Sequence, residues 1–308
     1  MKITVCTPTY NEKENIHKLY LEIKNTFKEI DCEYEHLVID NNSNDGTIDV
    51  LKDICKNDKN FKVIINNKNY GHIRSPFYGL LQSDSDATIL MASDFQDPVK
   101  LIPQYIEKWK NGSKIVLGKK KSSRENKIFF SLRSLFYKFL NLISENELTI
   151  NTTGSGIFDK EVINVLKKIK DPYPYFRGLV TELGFDIDFV EFEQPKRILG
   201  KTKNNFFTLY DIAILGIVKH SRKPLRFMVL VGFLSSILCL ITAIVYFFYK
   251  LIFWNSFSIG IAPIVIGLFL VASIQITLLG LVGEYIGIIL LNQKKTPLVT
   301  EKERINFN

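Results

Sequence analysis

Hydrophobic positions fall into two rhythms over residues 1–118. Short, largely apolar runs at 3–6, 36–40, 61–65, 87–92 and 114–118 each read as a buried strand. Between them, apolar residues recur at helical spacing. Ile16, Leu19, Tyr20, Ile23, Phe27 and Ile30 predict one helix. Residues 47–56 predict a second, opened by the turn Asn44-Asp45-Gly46. A third is expected over about 76–81, and Leu101, Ile102, Tyr105, Ile106 and Trp109 mark a fourth. Strand and helix alternate, which implies a doubly wound, Rossmann-like α/β layer with a mostly parallel sheet. Ligands of such folds sit beyond the carboxyl ends of the strands. Polar clusters lie at three of those ends: Thr9-Tyr10-Asn11-Glu12, Asp40-Asn41-Asn42-Ser43, and Asp94.

The fourth run ends in Met91-Ala92-Ser93-Asp94-Phe95-Gln96-Asp97-Pro98. Acids at the mouth of a buried strand can hold a hard divalent metal, and such a metal can grip a diphosphate. Asp94 is the metal candidate. Asp97 has two readings: a cap for the next helix, with Pro98 at its first position, or a second ligand.

After Gly118 the character changes. Residues 119–127 read as a basic loop, and 128–143 as an interfacial or core helix dense in Phe, Leu and Ile. Residues 151–156 read as a polar turn, 172–178 as an aromatic loop, 189–192 as one more strand, and 194–203 as a basic loop. Residues 206–218 read as an amphipathic segment skimming a bilayer.

The hydropathy then rises sharply. Residues 227–251 contain only Lys250 as a charge, and 259–291 only Glu284. Each exceeds the roughly 20 apolar residues that cross a bilayer. Lys219, Arg222, Lys223 and Arg226 precede the first span, and Lys294, Lys295, Lys302 and Arg304 follow the second. The positive-inside rule puts the large domain and both termini in the cytoplasm. The expected organisation is a cytoplasmic α/β domain over 1–205, a juxtamembrane segment over 206–226, a two-span hairpin over 227–291 and a cytoplasmic tail over 292–308.

The net charge of +8 suits anionic partners. Its basic residues cluster beside the apolar spans, which favours a membrane and phosphorylated substrates over nucleic acid. Cys6, Cys32, Cys55 and Cys239 show no metal-ligand spacing and no disulfide framework, and the four histidines form no zinc pattern.

Four motifs in order resemble those of family-2 glycosyltransferases. Thr7-Pro8-Thr9-Tyr10-Asn11-Glu12 resembles the opening motif, Ile39 to Thr47 the second, and Met91 to Pro98 the third. Arg197, Gly200, Thr202 and Lys203 resemble the late basic loop of the polyprenyl-phosphate branch, which includes dolichol-phosphate mannose synthases and bactoprenol glucosyl transferases. The latter carry a two-span hairpin at this place. The resemblance implies a GT-A fold, a nucleotide-diphosphate sugar donor, Mg²⁺ or Mn²⁺, and inverting transfer of one sugar to a lipid phosphate such as undecaprenyl phosphate at the inner membrane. It also suggests a homotetramer. Pro8, Tyr10, Glu12, Asp40, Asn41 and Ser93 are then expected in the nucleotide pocket. Asp94 is expected on the metal, with Gln96 supporting it. Arg124, Arg177, Arg197 and Lys203 are expected to relieve charge on the acceptor phosphate, since a lipid monophosphate needs positioning more than a strong base. Lys119 stands where relatives commonly have an arginine.

The chain departs from the family pattern at three positions. Asn41 is an amide where an acid is usual, Ala92 replaces the first acid of the Asp-x-Asp motif, and Ser155 replaces an acid after the Thr-Gly turn. Two other readings stay open: transfer to another lipid-linked or polymeric acceptor, and a non-catalytic scaffold that keeps the fold.

Overall fold

The computed structural model describes residues 1–123, 152–195, 214–219, 223–253, 261–293 and 296–307. Arg124, Arg197 and Lys203 lie outside the described residues, as do the expected helix at 128–143 and the loop at 196–203.

Strand β1 (Lys2–Thr9) leads into helix α1 (Lys13–Lys28). Then come β2 (Glu33–Asp40), α2 (Thr47–Asn57), β3 (Phe61–Asn66) and α3 (Gly71–Leu81). Strand β4 (Ala87–Leu90), a 3₁₀ turn (Val99–Leu101), α4 (Ile102–Lys110) and β5 (Ile115–Ser123) follow. Beyond them lie β6 (Thr152–Asp159), α5 (Lys160–Lys168), α6 (Phe176–Glu182) and β7 (Ile187–Gln194). The described chain ends with α7 (Lys223–Ile252), α8 (Ile261–Gln293) and β8 (Glu301–Ile305). One sheet runs β7-β5-β6-β4-β1-β2-β3-β8. Its centre, β4-β1-β2-β3, is parallel, while β6 and β8 run antiparallel to their neighbours. This is the expected α/β layer with a mostly parallel core.

The period-two alternation of the strands sorts the apolar residues onto two faces. Ile3, Val5, Val38, Val63 and Ile65 pack with α1, α2 and α4. Cys6, Leu90, Leu117 and Phe158 pack with α3 and α5 on the other face. Helix α3 lies close on the sheet at Gly79, where a Cβ would stand 2.8 Å from Ile39 Cγ2 and 3.0 Å from Cys6 Sγ. Gly156 serves the same end between strands, since a Cβ there would meet the Val116 carbonyl at 2.1 Å.

Several local expectations change. Helix α3 begins at Gly71 rather than at Pro76, which stands inside it. The expected basic loop begins as strand, because 119–123 continue β5 alongside β7. The polar turn at 151–156 is largely strand β6, paired with β4 and β5. Residues 176–178 of the expected aromatic loop open helix α6. The 3₁₀ turn opens at Pro98 without a side-chain cap, and Asp97 instead accepts a hydrogen bond from Ser155 Oγ. For β5, β6 and Asp97, a partner strand or a tertiary hydrogen bond overrides local turn chemistry.

The two long helices contain 30 and 33 residues. At 1.5 Å per residue they extend about 45 and 50 Å. Phe227, Val229, Phe233 and Leu238 on α7, and Ile264, Leu268, Ile276 and Leu279 on α8, are each more than half exposed. An apolar surface of that extent marks an interaction face. Among the described side chains alone, no helix is long and apolar enough to cross a membrane. The full sequences of both helices are apolar nearly throughout.

Both outer ends of this helix pair return to the α/β layer. Before α7, the helical segment 214–219 packs on Tyr175, whose ring lies 3.3 Å from where a Cβ of Gly216 would be. Lys219 there bonds Asp171 at 2.7 and 2.5 Å and the Tyr173 carbonyl at 2.6 Å. After α8, the expected tail carries β8, which covers the edge of β3 that would otherwise be open to another chain.

His36 sits at the centre of β2, fully buried, with Nε2 3.0 Å from Thr7 Oγ1 and its ring edge-on to Phe61. Burial pushes its pKa down to about 3. The unfolded chain, with an ordinary His pKa near 6.5, therefore binds more protons than the folded one between those values. Stability rises with pH across that window, and it falls on acidification from about pH 6.5 toward 4. His36→Asn flattens that slope, which urea unfolding at stepped pH measures; an unchanged slope removes His36 as its source.

Candidate functional site

The four parallel strands end side by side, so four loops distant in sequence meet at one edge. The loops after β1, β2 and β4 were expected there. The loop after β3, Asn67 to Tyr70, is an addition. Its signal was a run of Asn66, Asn67 and Asn69 after an apolar strand. Each meeting of neighbouring loops is closed by named hydrogen bonds.

The β1 and β2 loops are joined through Asn11 and Asn44. Asn11 Nδ2 donates to Asn44 Oδ1 at 2.9 Å, and Asn44 N–H donates to Asn11 Oδ1 at 2.9 Å. Asn11 N–H also donates to Ser43 Oγ at 2.8 Å. Ser43 in turn donates to both oxygens of Asp40, from its N–H at 2.9 Å and its Oγ at 2.5 Å. Asp40 is fully buried, and burial raises its pKa despite the Ser43 bonds. Its carboxylate is thus turned into its own loop. Glu12 is also buried, with Oε2 accepting from Asn15 Nδ2 at 2.6 Å and its N–H donating to Thr47 Oγ1 at 3.0 Å. Tyr10 and Pro8 are half-buried beside them.

Asn41 joins the β2 and β3 loops. Its Oδ1 accepts from Tyr70 N–H at 2.8 Å and Asn66 Nδ2 at 3.1 Å. Its Nδ2 donates to Asn69 Oδ1 at 2.8 Å and to the Gly71 carbonyl at 3.2 Å. This explains one departure from the family pattern. A carboxylate at 41 could accept but not donate, and it would face two acceptors. Asn69 cannot simply turn over, because its Oδ1 also accepts from Gly71 N–H at 2.8 Å.

Ser93 joins the β4 and β1 loops by donating to the Pro8 carbonyl at 3.2 Å. Asp94 follows, half-buried, with Oδ1 accepting from Gln96 N–H at 3.1 Å. Between them Phe95 takes the left-handed conformation, φ 60°, rare for a bulky residue. Its side chain is only 6% exposed within the core cluster of α1 and α4, with Lys18 Nζ 5.2 Å above the ring. Core packing thus holds the strained loop that presents Asp94 and Gln96. Asn11 at φ 54° and Asn42 at φ 63° are left-handed too, so each of the three expected loops carries one such residue.

Among the described residues, no three His, Cys, Asp or Glu side chains form a metal cluster. Mg²⁺ and Mn²⁺ need no protein cage, because they accept one or two carboxylates plus substrate phosphates and water. A single Asp94 beside a diphosphate therefore suits such an ion. Asp97 is buried and bonded to Ser155, so the serine that replaces an acid serves as a donor to the acid that remains.

The expected acceptor-side cations are not brought together in the described residues. Arg177 lies in α6, where its backbone alone is described, and Arg124, Arg197 and Lys203 lie outside. Lys119 lies on β5, 4.0 Å from Glu191 and over the Phe189 ring.

The family described as "Glycosyl transferase family 2" matches residues 4–166. An uncharacterized glycosyltransferase, YkcC, of Bacillus subtilis is 30% identical over 97% of this chain and 92% of that protein. A bactoprenol glucosyl transferase of Shigella phage SfX is 28% identical over 99% of this chain and 100% of that protein. A prophage bactoprenol glucosyl transferase homolog of Escherichia coli is 29% identical over 96% and 97%. The glucosyl-3-phosphoglycerate synthase of Mycobacterium tuberculosis, solved with Mn²⁺, uridine diphosphate and phosphoglyceric acid, shares the fold. It aligns at a TM-score of 0.51 and 19% identity, over 70% of this chain and 76% of that one.

Asn41→Asp is expected to lower stability by about 1–3 kcal/mol, the usual cost of stranding buried hydrogen-bonding groups. Thermal unfolding beside the wild type checks this, and an unchanged midpoint would show that the seam tolerates an acid.

Proposed function

Because this chain belongs to glycosyl transferase family 2 and is a glycosyltransferase, we propose that it is membrane-bound and moves one sugar, with inversion, from a nucleotide-diphosphate sugar to a polyprenyl phosphate. The observation that carries this reading is the likeness to bactoprenol glucosyl transferases over nearly the whole chain, long apolar helices included. The exposed apolar faces of α7 and α8 support insertion of both as a hairpin. Their outer ends, tied to one catalytic layer by Lys219–Asp171 and by β8, support an out-and-back path. The basic residues at those same ends favour the cytoplasmic face.

In this reading the nucleotide lies across the loops after β1, β2, β3 and β4. Pro8, Tyr10, Glu12, Asp40, Asn41 and Ser93 shape its base and ribose site. Ser43 takes one acceptor position on each Asp40 oxygen and orients the carboxylate, which keeps further lone pairs for the base or ribose. Asp94 is the residue that would hold Mg²⁺ or Mn²⁺, which neutralises charge on the departing diphosphate. Gln96 fixes the Asp94 carboxylate through its backbone N–H.

An oxygen of the lipid phosphate attacks the anomeric carbon from the face opposite the diphosphate. A new carbon–oxygen bond forms as the bond to the diphosphate oxygen breaks, and configuration inverts. The acceptor is already anionic near neutral pH, so the reaction calls for orientation and charge relief rather than proton removal. Arg124, Arg177, Arg197 and Lys203 are assigned to that task. Arginine suits it because its planar fork can bond a phosphate at two points.

The direct test places the full chain in nanodiscs with undecaprenyl phosphate, Mn²⁺ and a panel of UDP- and GDP-sugars, with the lipid read by mass spectrometry. One donor is expected to give a lipid heavier by one sugar residue, and Asp94→Asn is expected to abolish it. Normal turnover by that variant would remove Asp94 from the metal. Separately, a reporter fused beyond the C-terminus is expected to read as cytoplasmic, and a periplasmic signal would overturn the hairpin.

A further inference from the structure

We propose that the C-terminal segment 297–306 is a positioning element of the nucleotide site, linking the end of α8 to the loop after β3. This rests on the glycosyl-transfer reading of that site.

The segment is attached at two levels. At its far end, Asn306 Nδ2 donates to the carbonyls of Cys55, Asp58 and Phe61 at 2.9, 3.1 and 2.8 Å. Asn306 reaches all three from a left-handed backbone, φ 62°. Lys52 pairs with Glu303 at 2.7 Å. At its near end the contacts converge on 67–78. Asn67 N–H donates to the Thr300 carbonyl at 3.0 Å, and Asn67 Nδ2 to the Glu301 carbonyl at 3.1 Å. Tyr70 OH bonds Thr300 Oγ1. Arg74 donates to the carbonyls of Pro297 at 2.7 Å and Leu298 at 2.9 Å, and Tyr78 OH to Glu301 at 2.7 Å.

Two residues that meet this strap, Asn66 and Tyr70, are also partners of Asn41. Tyr70, held by Thr300 through its hydroxyl, gives its backbone N–H to Asn41 Oδ1. The β3–β8 ladder also breaks register between Ile65 and Asn66. Such irregularities re-aim a side chain, and here Asn66 Nδ2 reaches Asn41 Oδ1 at 3.1 Å and Ser75 Oγ at 3.0 Å. Pairing with β8 therefore sets two of the bonds that hold the β2 and β3 loops together. Three residues separate Gln293, the last of α8, from Pro297. A shift of α8 is passed to the nucleotide loops with little slack.

A fold-stabilising strand alone would change melting temperature and leave nucleotide affinity untouched. The test uses the full chain in nanodiscs and titrates UDP and GDP, each with Mn²⁺, by calorimetry, alongside hydrogen exchange of amides 67–71. Thr300→Val removes one hydroxyl, and Asn306→Ala loosens the strap far from the pocket. Both are expected to speed exchange at 67–71 and weaken the bound nucleotide about three- to tenfold, with Thr300→Ser restoring it. Faster exchange or a lower melting temperature with unchanged affinity overturns the proposal. Failure of the wild type to bind either nucleotide overturns instead the donor-site reading beneath it.

Discussion

The site depends on hydrogen bonds that cross between neighbouring strand-end loops. A parallel sheet delivers its loops to one edge but does not join them, because its own ladder ends where each strand ends. Here Asn11 with Asn44, Asn41 with Asn69, Tyr70 and Gly71, and Ser93 with Pro8 close the three gaps among four loops. Amides suit two of these seams because each both donates and accepts. Residues 11, 42 and 95 adopt left-handed backbone at the seams, and the strain is tolerated because the surroundings leave no alternative. Phe95 shows how: its ring is fixed in the core, so the adjacent backbone bends toward the site.

The same logic recasts the departures from the family pattern. Asn41 maintains a seam that an acid would break. Ser155 gives its hydroxyl to the buried Asp97, where two carboxylates would repel. Mg²⁺ and Mn²⁺ accept as few as one or two carboxylates when phosphates and water complete the shell, so the metal role proposed for Asp94 does not call for a second acid. These substitutions are locally consistent, which suits a working site more than a decaying one.

The chain's two distant parts also meet in one sheet. β8 lies more than two hundred residues from β3 in sequence, yet it completes the sheet beside the nucleotide loops. Between them run the two long apolar helices, tied to the layer before α7 by Lys219 and after α8 by the strap. The α/β layer is thus anchored at both outer ends of the helix pair.

The alternation of strands and helices through residue 118 was legible because buried strands and amphipathic helices leave different periods. The clusters at Asp40 and Asp94, and the apolar spans after 226, were legible from composition at those places. Residues 152–156 have the Thr, Gly and Ser of a polar turn, and only pairing with β4 and β5 makes them strand. The loop after β3 and the strap at 297–306 carry no periodicity, and their role arises solely from contacts across the sheet edge. Local pattern determined the elements and the identity of the chemical groups. Tertiary structure decided which oxygens remain for a ligand, as with Asp40, because hydrogen bonds between distant loops depend on three-dimensional neighbours that no sequence spacing encodes.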